Sequence, residues 1–313
     1  MREPICHLDG AWLPLREARV PVMDRGFLFG DGVYEVIPVY ARRPFRLADH
    51  LARLRRSLRA VGISDPLPQA GWGELVQRLV DANDPADQCV YLQVTRGVAP
   101  RRDHAFPADA APTLFGYSYA YPHASPQLRE AGVDAITQPD RRWLRGQIKS
   151  TSLLGAVLER QASAQIGAQE TILIRDGWLT EASSSNVWVV RNGTLLCPPM
   201  DERKLEGVRV GLFDELAQAA GVPLQRRDVA EWELRCADEL LLSSATKEVL
   251  AVTRLDGRAV GSGRPGPIYQ ALYAAYQAAK LESGQGREAT ATLPGAQAST
   301  ADARPAADQE SIR

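Results

Sequence analysis

Lysine is nearly absent from this chain. Only Lys149, Lys204, Lys247 and Lys280 occur among 37 lysines and arginines. Arginine, locked in its charged form, has taken over the role of solvated surface cation. A retained amine is therefore weighted toward chemistry that a guanidinium cannot perform. Cysteine is equally sparse: Cys6, Cys89, Cys197 and Cys236 lie far apart and form neither a metal-ligand pair nor a disulfide ladder. No apolar run approaches the ~20 residues a bilayer span requires. The opening Met1-Arg2-Glu3-Pro4 leads into Ile5-Cys6-His7-Leu8 without the apolar core of a signal peptide, so a cytoplasmic location is expected. Net charge is also missing, at −1 over 313 residues. So weak a field gathers neither nucleic acid nor an acidic membrane, and neither is expected as a partner.

What is present is an ordinary globular composition, 45% apolar and 24% charged, long enough for one large or two medium domains. Residues 48–61 place Leu51, Leu54, Leu58 and Val61 at helical spacing before Gly62, and residues 72–80 repeat the pattern. Residues 89–95 alternate as a half-buried strand does, and 113–119 read as another. The stretch 120–126 holds two prolines and predicts a linker between a small domain over 1–119 and a larger one over 127–281. In the second, 153–166 reads as a helix, Asp176-Gly177 and Asn192-Gly193 turn hairpins, and 207–220 and 267–280 read as further helices. The composition of 282–313, poor in large apolar residues, predicts a disordered tail.

Four segments carry residues suited to chemistry, and each has a plain structural alternative. Lys149 precedes the helix near 153, where an amine can be desolvated and made nucleophilic; most such lysines are simply exposed. Glu181 is followed by Ala182-Ser183-Ser184-Ser185-Asn186, a carboxylate beside small hydroxyls, which equally describes a surface turn. Gly26, Gly30 and Gly32 allow close backbone approach to a ligand ahead of Tyr34, or merely a turn. The loop 100–107 clusters Arg101, Arg102 and His104, and Arg suits forked recognition of a carboxylate; solvated basic loops are commoner.

Taken together, DRGFLFGDGVYEV (24–36), VTRG with PRRDHAFP (94–107), RWLRGQIKSTSLLGAVLE (142–159) and TEASSSNVW (180–188) plainly resemble the D-amino-acid aminotransferases. These are fold type IV pyridoxal-phosphate enzymes, akin to branched-chain aminotransferases and aminodeoxychorismate lyases. The resemblance runs from about residue 9 to 277. It implies an α/β (α+β) fold of two domains with pyridoxal 5′-phosphate at their interface, in a homodimer with shared sites. Lys149 would hold the cofactor as a Schiff base and shuttle the substrate proton. Glu181 would pair with the pyridine nitrogen. Arg53, the backbone at Gly207, Val208 and Arg209, and Ser244 would meet the phosphate. Tyr34 with Arg102 and His104 of the neighbouring subunit would trap the substrate carboxylate. The reaction implied is ping-pong transamination between a D-amino acid such as D-alanine and a 2-oxo acid such as 2-oxoglutarate.

Some positions depart from the family pattern. Gly207-Val208-Arg209-Val210 replaces Gly-Ile-Thr-Arg, Ala245 stands where a hydroxyl is often found, and Pro38 replaces a frequent Lys. The alternatives are branched-chain L-aminotransferase, aminodeoxychorismate lyase or (R)-amine transaminase activity, and a binding protein that kept only the fold. The PRRDHAFP loop favours the D-enzyme, and retention of both Lys149 and Glu181 argues against a non-catalytic role.

Overall fold

The computed structural model describes residues 3–205 and 208–284. Its strands form two sheets. In the first, β1 (Ile5–Leu8), β2 (Ala11–Pro14), β3 (Gly32–Tyr40), β4 (Arg43–Pro44), β5 (Gln88–Thr95) and β6 (Thr113–Ala120) run antiparallel in the order β2-β1-β6-β5-β3-β4. A short helix α1 (Arg25–Phe29) precedes β3, and α2 (Leu47–Val61) and α3 (Gln69–Ala82) cover one face.

Alternation along β3 divides its side chains between two environments. Val33, Ile37 and Val39 are fully buried against Leu54, Leu58, Trp72 and Leu79 of the helices. Tyr34 and Val36 point the other way, into a cavity. The helix α2 ends as its sequence predicts, on Gly62 at φ 64° with its N–H returned to the last turn.

After β6 the chain crosses residues 121–125 into α4 (Pro126–Ala131), whose cap is the Ser125 hydroxyl. The second sheet contains β7 (Val133–Pro139), β8 (Glu170–Arg175), β9 (Trp178–Ala182), β10 (Asn186–Arg191), β11 (Thr194–Cys197), β12 (Leu224–Arg226), β13 (Glu239–Ser244), β14 (Glu248–Leu255) and β15 (Arg258–Ala259). Its order is β12-β11-β10-β13-β14-β7-β8-β9, with β15 on β14, and it mixes parallel and antiparallel pairs. Helices α5 (Leu154–Gln165), α6 (Val208–Ala219), α7 (Glu231–Arg235) and α8 (Pro267–Gly284) complete the chain.

One apolar cluster joins the two sheets: Tyr40, Phe45 and Cys89 of the first half pack with Trp188, Phe213 and Tyr276 of the second. Trp188 stacks on Phe213 at 4.2 Å, and the Tyr40 and Tyr276 hydroxyls meet at 3.1 Å. Where two sheets meet around such a cluster, a cleft between them is held rigid from below.

The structure extends the sequence reading at both ends. The hairpin β1–β2 and the helix α1 arise from segments too short to show a period. The last helix continues to Gly284, so residues 282–284 belong to it rather than to a tail; Lys280, Leu281 and Glu282 are all good helix formers. The expected tail over 285–313 lies outside the described residues, as does Gly207. Among the described residues no helix is long and apolar enough to cross a membrane.

Candidate active site

A cavity of about 920 Å³ opens between the sheets, and Tyr34, Arg53, Lys149, Glu181, Val208 and Ser244 all line it. Lys149 sits in the long loop 140–153, well past the end of β7. That loop is fixed because it acts as a partial strand on the edge of β3. Tyr34 N–H donates to the Lys149 carbonyl at 3.0 Å, Thr151 N–H donates to the Gly32 carbonyl at 2.9 Å, and Val33 bridges to Ser150. The Lys149 N–H in turn donates to Ser57 Oγ on α2 at 3.2 Å. With its backbone held on two sides, the side chain projects over Tyr34, Nζ lying 4.3 Å from the ring centre.

The loop also needs Gly146. A Cβ there would fall 2.8 Å from the backbone nitrogen of Lys204. Such contact with backbone cannot be relieved by moving a side chain.

Glu181, near the end of β9, is 6% exposed. Arg142 Nη1 donates to its Oε1 at 2.5 Å, and the Leu205 N–H approaches both oxygens at 3.3 Å. Arg142 is itself held in a fork by Asp140, at 2.9 and 3.0 Å. Burial lifts the Glu181 carboxyl above its ordinary range, while Arg142 and the Leu205 amide pull the other way. Among the described residues Oε2 thus has one long contact, from Leu205, and retains capacity to accept from a ligand in the cavity.

A buried ion cluster missed by sequence reading supports Arg53. Its Nε and Nη2 donate to Glu35 at 2.9 and 2.6 Å, and His50 Nδ1 lies 3.0 Å from the same carboxylate. Burial alone would raise the Glu35 carboxyl, but Arg53 and His50 outweigh it and hold it far below the usual range. A signal was available. His50, Arg53 and Ser57 are polar, buried and spaced three and four apart beside the Leu51-Leu54-Leu58 stripe of α2.

Ser244, at the end of β13, receives the Lys247 N–H at 3.1 Å, and the Ala245 carbonyl accepts from Tyr121 Oη at 3.1 Å. Val208 begins α6 at the cavity wall. The Arg209 side chain lies outside the described residues.

Arg102 and His104 are not among the residues lining this chain's own cavity. Both are exposed at Phe29, Arg102 at 5.0 Å from its ring centre and the His104 ring at 5.4 Å. Their loop is clamped from beneath by the buried Arg25, which donates to the carbonyls of Asp103 at 2.6 Å and of His104 and Ala105 at 3.2 Å. Asp31 fixes that clamp by joining Arg25 to Arg96.

Of the four lysines only Lys149 stands apart from an ordinary structural contact among the described residues. Besides Lys149 in the cavity, Lys204 is buried on the Pro198 carbonyl, Lys247 meets Glu170 at 2.8 Å and Lys280 meets Glu248 at 2.7 Å.

The family model for class IV amino-transferases matches residues 32–255, which contain both Lys149 and Glu181. The chain belongs to that family. A D-alanine aminotransferase of Bacillus licheniformis is 39% identical over 270 residues, covering 86% of this chain and 94% of that protein. One from Staphylococcus aureus is 35% identical over 271 residues, covering 86% and 95%. A solved hypothetical aminotransferase from Mycobacterium tuberculosis in its PLP-bound form, 24% identical, superposes with a TM-score of 0.76 over 89% of this chain and 99% of that one. Membership bears out the expected two-part α/β architecture of a fold type IV aminotransferase.

Proposed function

We propose that this class IV amino-transferase moves the amino group of a D-amino acid to a 2-oxo acid, using pyridoxal 5′-phosphate in the cavity between the sheets. The observation that carries this reading is the convergence of Lys149 and Glu181 on one cavity from a pinned loop and a buried strand. The D-alanine aminotransferases that cover most of the chain support the donor stereochemistry.

The donor set fits the cofactor. Lys149 offers an amine to an aldehyde, and Glu181 offers a buried carboxylate with open capacity to a protonated ring nitrogen. Arg53, Ser244 and the backbone at the start of α6 offer a cation, a hydroxyl and a helix N-terminus to a phosphate. When bound, pyridoxal phosphate supplies the electron sink that makes the substrate Cα proton removable.

The protein's own groups do the rest. Lys149 Nζ would take the substrate Cα proton and return it on the other side of the substrate nitrogen, the proton movement by which an amine, with water, becomes a carbonyl. Glu181, held by Arg142, would accept from the cofactor's ring nitrogen and favour its protonated form. Tyr34, stacked on Tyr91 with centroids 5.6 Å apart, is fixed as one wall of the substrate pocket.

The carboxylate trap is completed in a homodimer, with Arg102 and His104 reaching the neighbouring cavity. Support for such a partner comes from the exposed apolar face of α5, where Leu154, Val157 and Leu158 are 71, 56 and 61% exposed. A cytoplasmic location is part of this proposal.

A panel of D- and L-amino donors with 2-oxoglutarate tests the assignment. D-donors should be turned over and their L-antipodes not. Preference for branched-chain L-donors would replace the reading with the L-specific alternative.

A further inference from the structure

The wall of the cavity beside Glu181 is built from Ser183, Ser184 and Ser185. Behind it lies Glu170, fully buried on β8, a residue no part of the proposed mechanism uses. Ser184 and Ser185 donate to Glu170 Oε2 at 2.9 and 2.8 Å, and Ser183 donates to Oε1. The Thr171 N–H also reaches Oε1 at 3.1 Å. Lys247, from the turn after β13, sets all three of its protons into the same cluster, at 2.8 Å from Glu170 Oε2, Ser184 Oγ and Ser185 Oγ. Its backbone N–H holds Ser244, the next wall of the cavity.

The proton count admits one arrangement. An ionised carboxylate and an ammonium are acceptor-only and donor-only. Each serine must therefore give its single proton to Glu170, and Ser184 and Ser185 must accept from Lys247.

We propose that Lys247 is a positioning residue which, by holding Glu170 ionised, commits the three serine protons and makes this wall a hydrogen-bond acceptor only. A ligand group resting on these hydroxyls must bring its own N–H or O–H. The location of the wall within a substrate pocket rests on the function proposed above; the charge relation between Lys247 and Glu170 does not.

Among the described residues Lys247 is the charged group bonded to Glu170. On the α5 side, the Glu159 carbonyl is engaged by Thr171 Oγ1 at 2.6 Å, and the Arg160 guanidinium turns to Ser163 Oγ at 3.0 Å and the Ala168 carbonyl at 3.3 Å. Lys247 is thus the cation that offsets burial, and it holds the Glu170 carboxyl below its ordinary range.

The sign of this linkage supplies the test. In the wild-type holoenzyme Glu170 contributes stability that is present above the ordinary carboxyl range and lost as pH falls. In Lys247→Met the buried carboxyl has no cation, its pKa rises, and its contribution changes sign. That variant should be least stable relative to wild type near pH 7 and recover toward it on acidification to about pH 5, as Glu170 takes a proton. The double variant Lys247→Met/Glu170→Gln should lose this pH dependence, and Lys247→Arg should restore the wild-type slope.

Thermal melts of the holoenzyme across that range read the effect without reference to any substrate. At neutral pH, kcat/KM of Lys247→Met should also fall roughly 10- to 100-fold through a displaced wall and recover in part at lower pH. If the Lys247→Met stability profile runs parallel to wild type, or the double variant keeps the variant's slope, the proposal is overturned. Should Lys247→Met not fold, the double variant and Lys247→Arg still decide the matter. A D-amino-acid panel that fails while the melts behave as described would sink the proposed reaction and leave the Lys247–Glu170 relation standing.

Discussion

Lys149 and Tyr34 hold each other in place: the Tyr34 N–H binds the Lys149 carbonyl at 3.0 Å, and the Lys149 amine lies 4.3 Å from the Tyr34 ring centre. The relationship is a consequence of β3 having an open edge. Its β4 partner covers only Val39 and Tyr40, so the edge nearer Gly32 accepts the loop 149–151 as a substitute strand. The Lys149 amine is thereby tied to the sheet that also carries Tyr34, and both line the cavity.

That tie gives the first prediction. Lys149→Ala should fold, since the backbone contacts survive, but lose nearly all transamination if the amine is, as proposed, both the anchor and the proton carrier. Borohydride reduction followed by peptide mass analysis should fix the cofactor on Lys149 in the wild type and nowhere in the variant. Near wild-type turnover in Lys149→Ala would remove the assignment.

Glu181 is expected to matter through charge rather than shape. Glu181→Gln keeps the size and a hydrogen bond but no longer favours a protonated ring nitrogen, a loss of roughly 2–4 kcal/mol at the reacting centre. Single-turnover rates should fall by about 30- to 1000-fold. The same change leaves Arg142 facing one carboxylate, Asp140, instead of two, so Arg142→Met in the Glu181→Gln background should cost less than in the wild type. Unchanged kinetics would reduce Glu181 to a residue that merely fills the end of β9.

The positions of Lys149, Glu181 and Tyr34 were legible in the sequence because each sits in a long segment whose pattern is distinctive as a whole, whereas Arg53 lies outside those segments and was implied only by the resemblance they carry. The helices α2 and α3 were legible from their apolar period, and the hairpins from Asp-Gly and Asn-Gly turns. What could not be read were relations between distant segments. Glu35 follows Tyr34, yet its role depends on His50 and Arg53 arriving from α2. Glu170 lies on β8 and Lys247 in the turn after β13, and Arg25 acts on the carbonyls of a loop far along the chain. Side-chain chemistry along one strand carries no record of which partner the fold will bring.

The Glu35 cluster gives a pH prediction with a definite sign. Its carboxyl is held far below the ordinary value, so it contributes stability at neutral pH that drains away as pH falls below about 4.5. Glu35→Gln breaks a buried pair and should lower stability by about 3–5 kcal/mol at pH 7. The gap between variant and wild type in urea melts should narrow steadily on acidification. A gap that stays constant from neutral to acid pH would show that Glu35 is not the ionised centre of the cluster.

The carboxylate trap is the remaining test, and it concerns two chains rather than one. D- and L-substrates present the same amine, so stereochemistry must come from where the carboxylate is held. Arg102 can grip it with two charge-assisted bonds, and His104 and Tyr34 can each add a single donor. Neither Arg102 nor His104 lines the cavity of its own chain, yet Arg25 fixes their loop in an exposed position. Arg102→Ala should therefore weaken kcat/KM for D-amino acids by about 2–4 kcal/mol while sparing simple (R)-amines, which carry no carboxylate. Arg25→Ala should act in the same direction by loosening the loop, with a larger effect on KM than on kcat. If the trap is reached across a dimer, mixing Lys149→Ala subunits with Arg102→Ala subunits should restore activity, because one of the two sites in each heterodimer then combines an intact Lys149 with an intact Arg102. Exchange can be followed by native mass spectrometry on the same sample. Heterodimers that form and remain inactive would place Arg102 outside the site, and full D-amino-acid turnover by Arg102→Ala would abolish the trap.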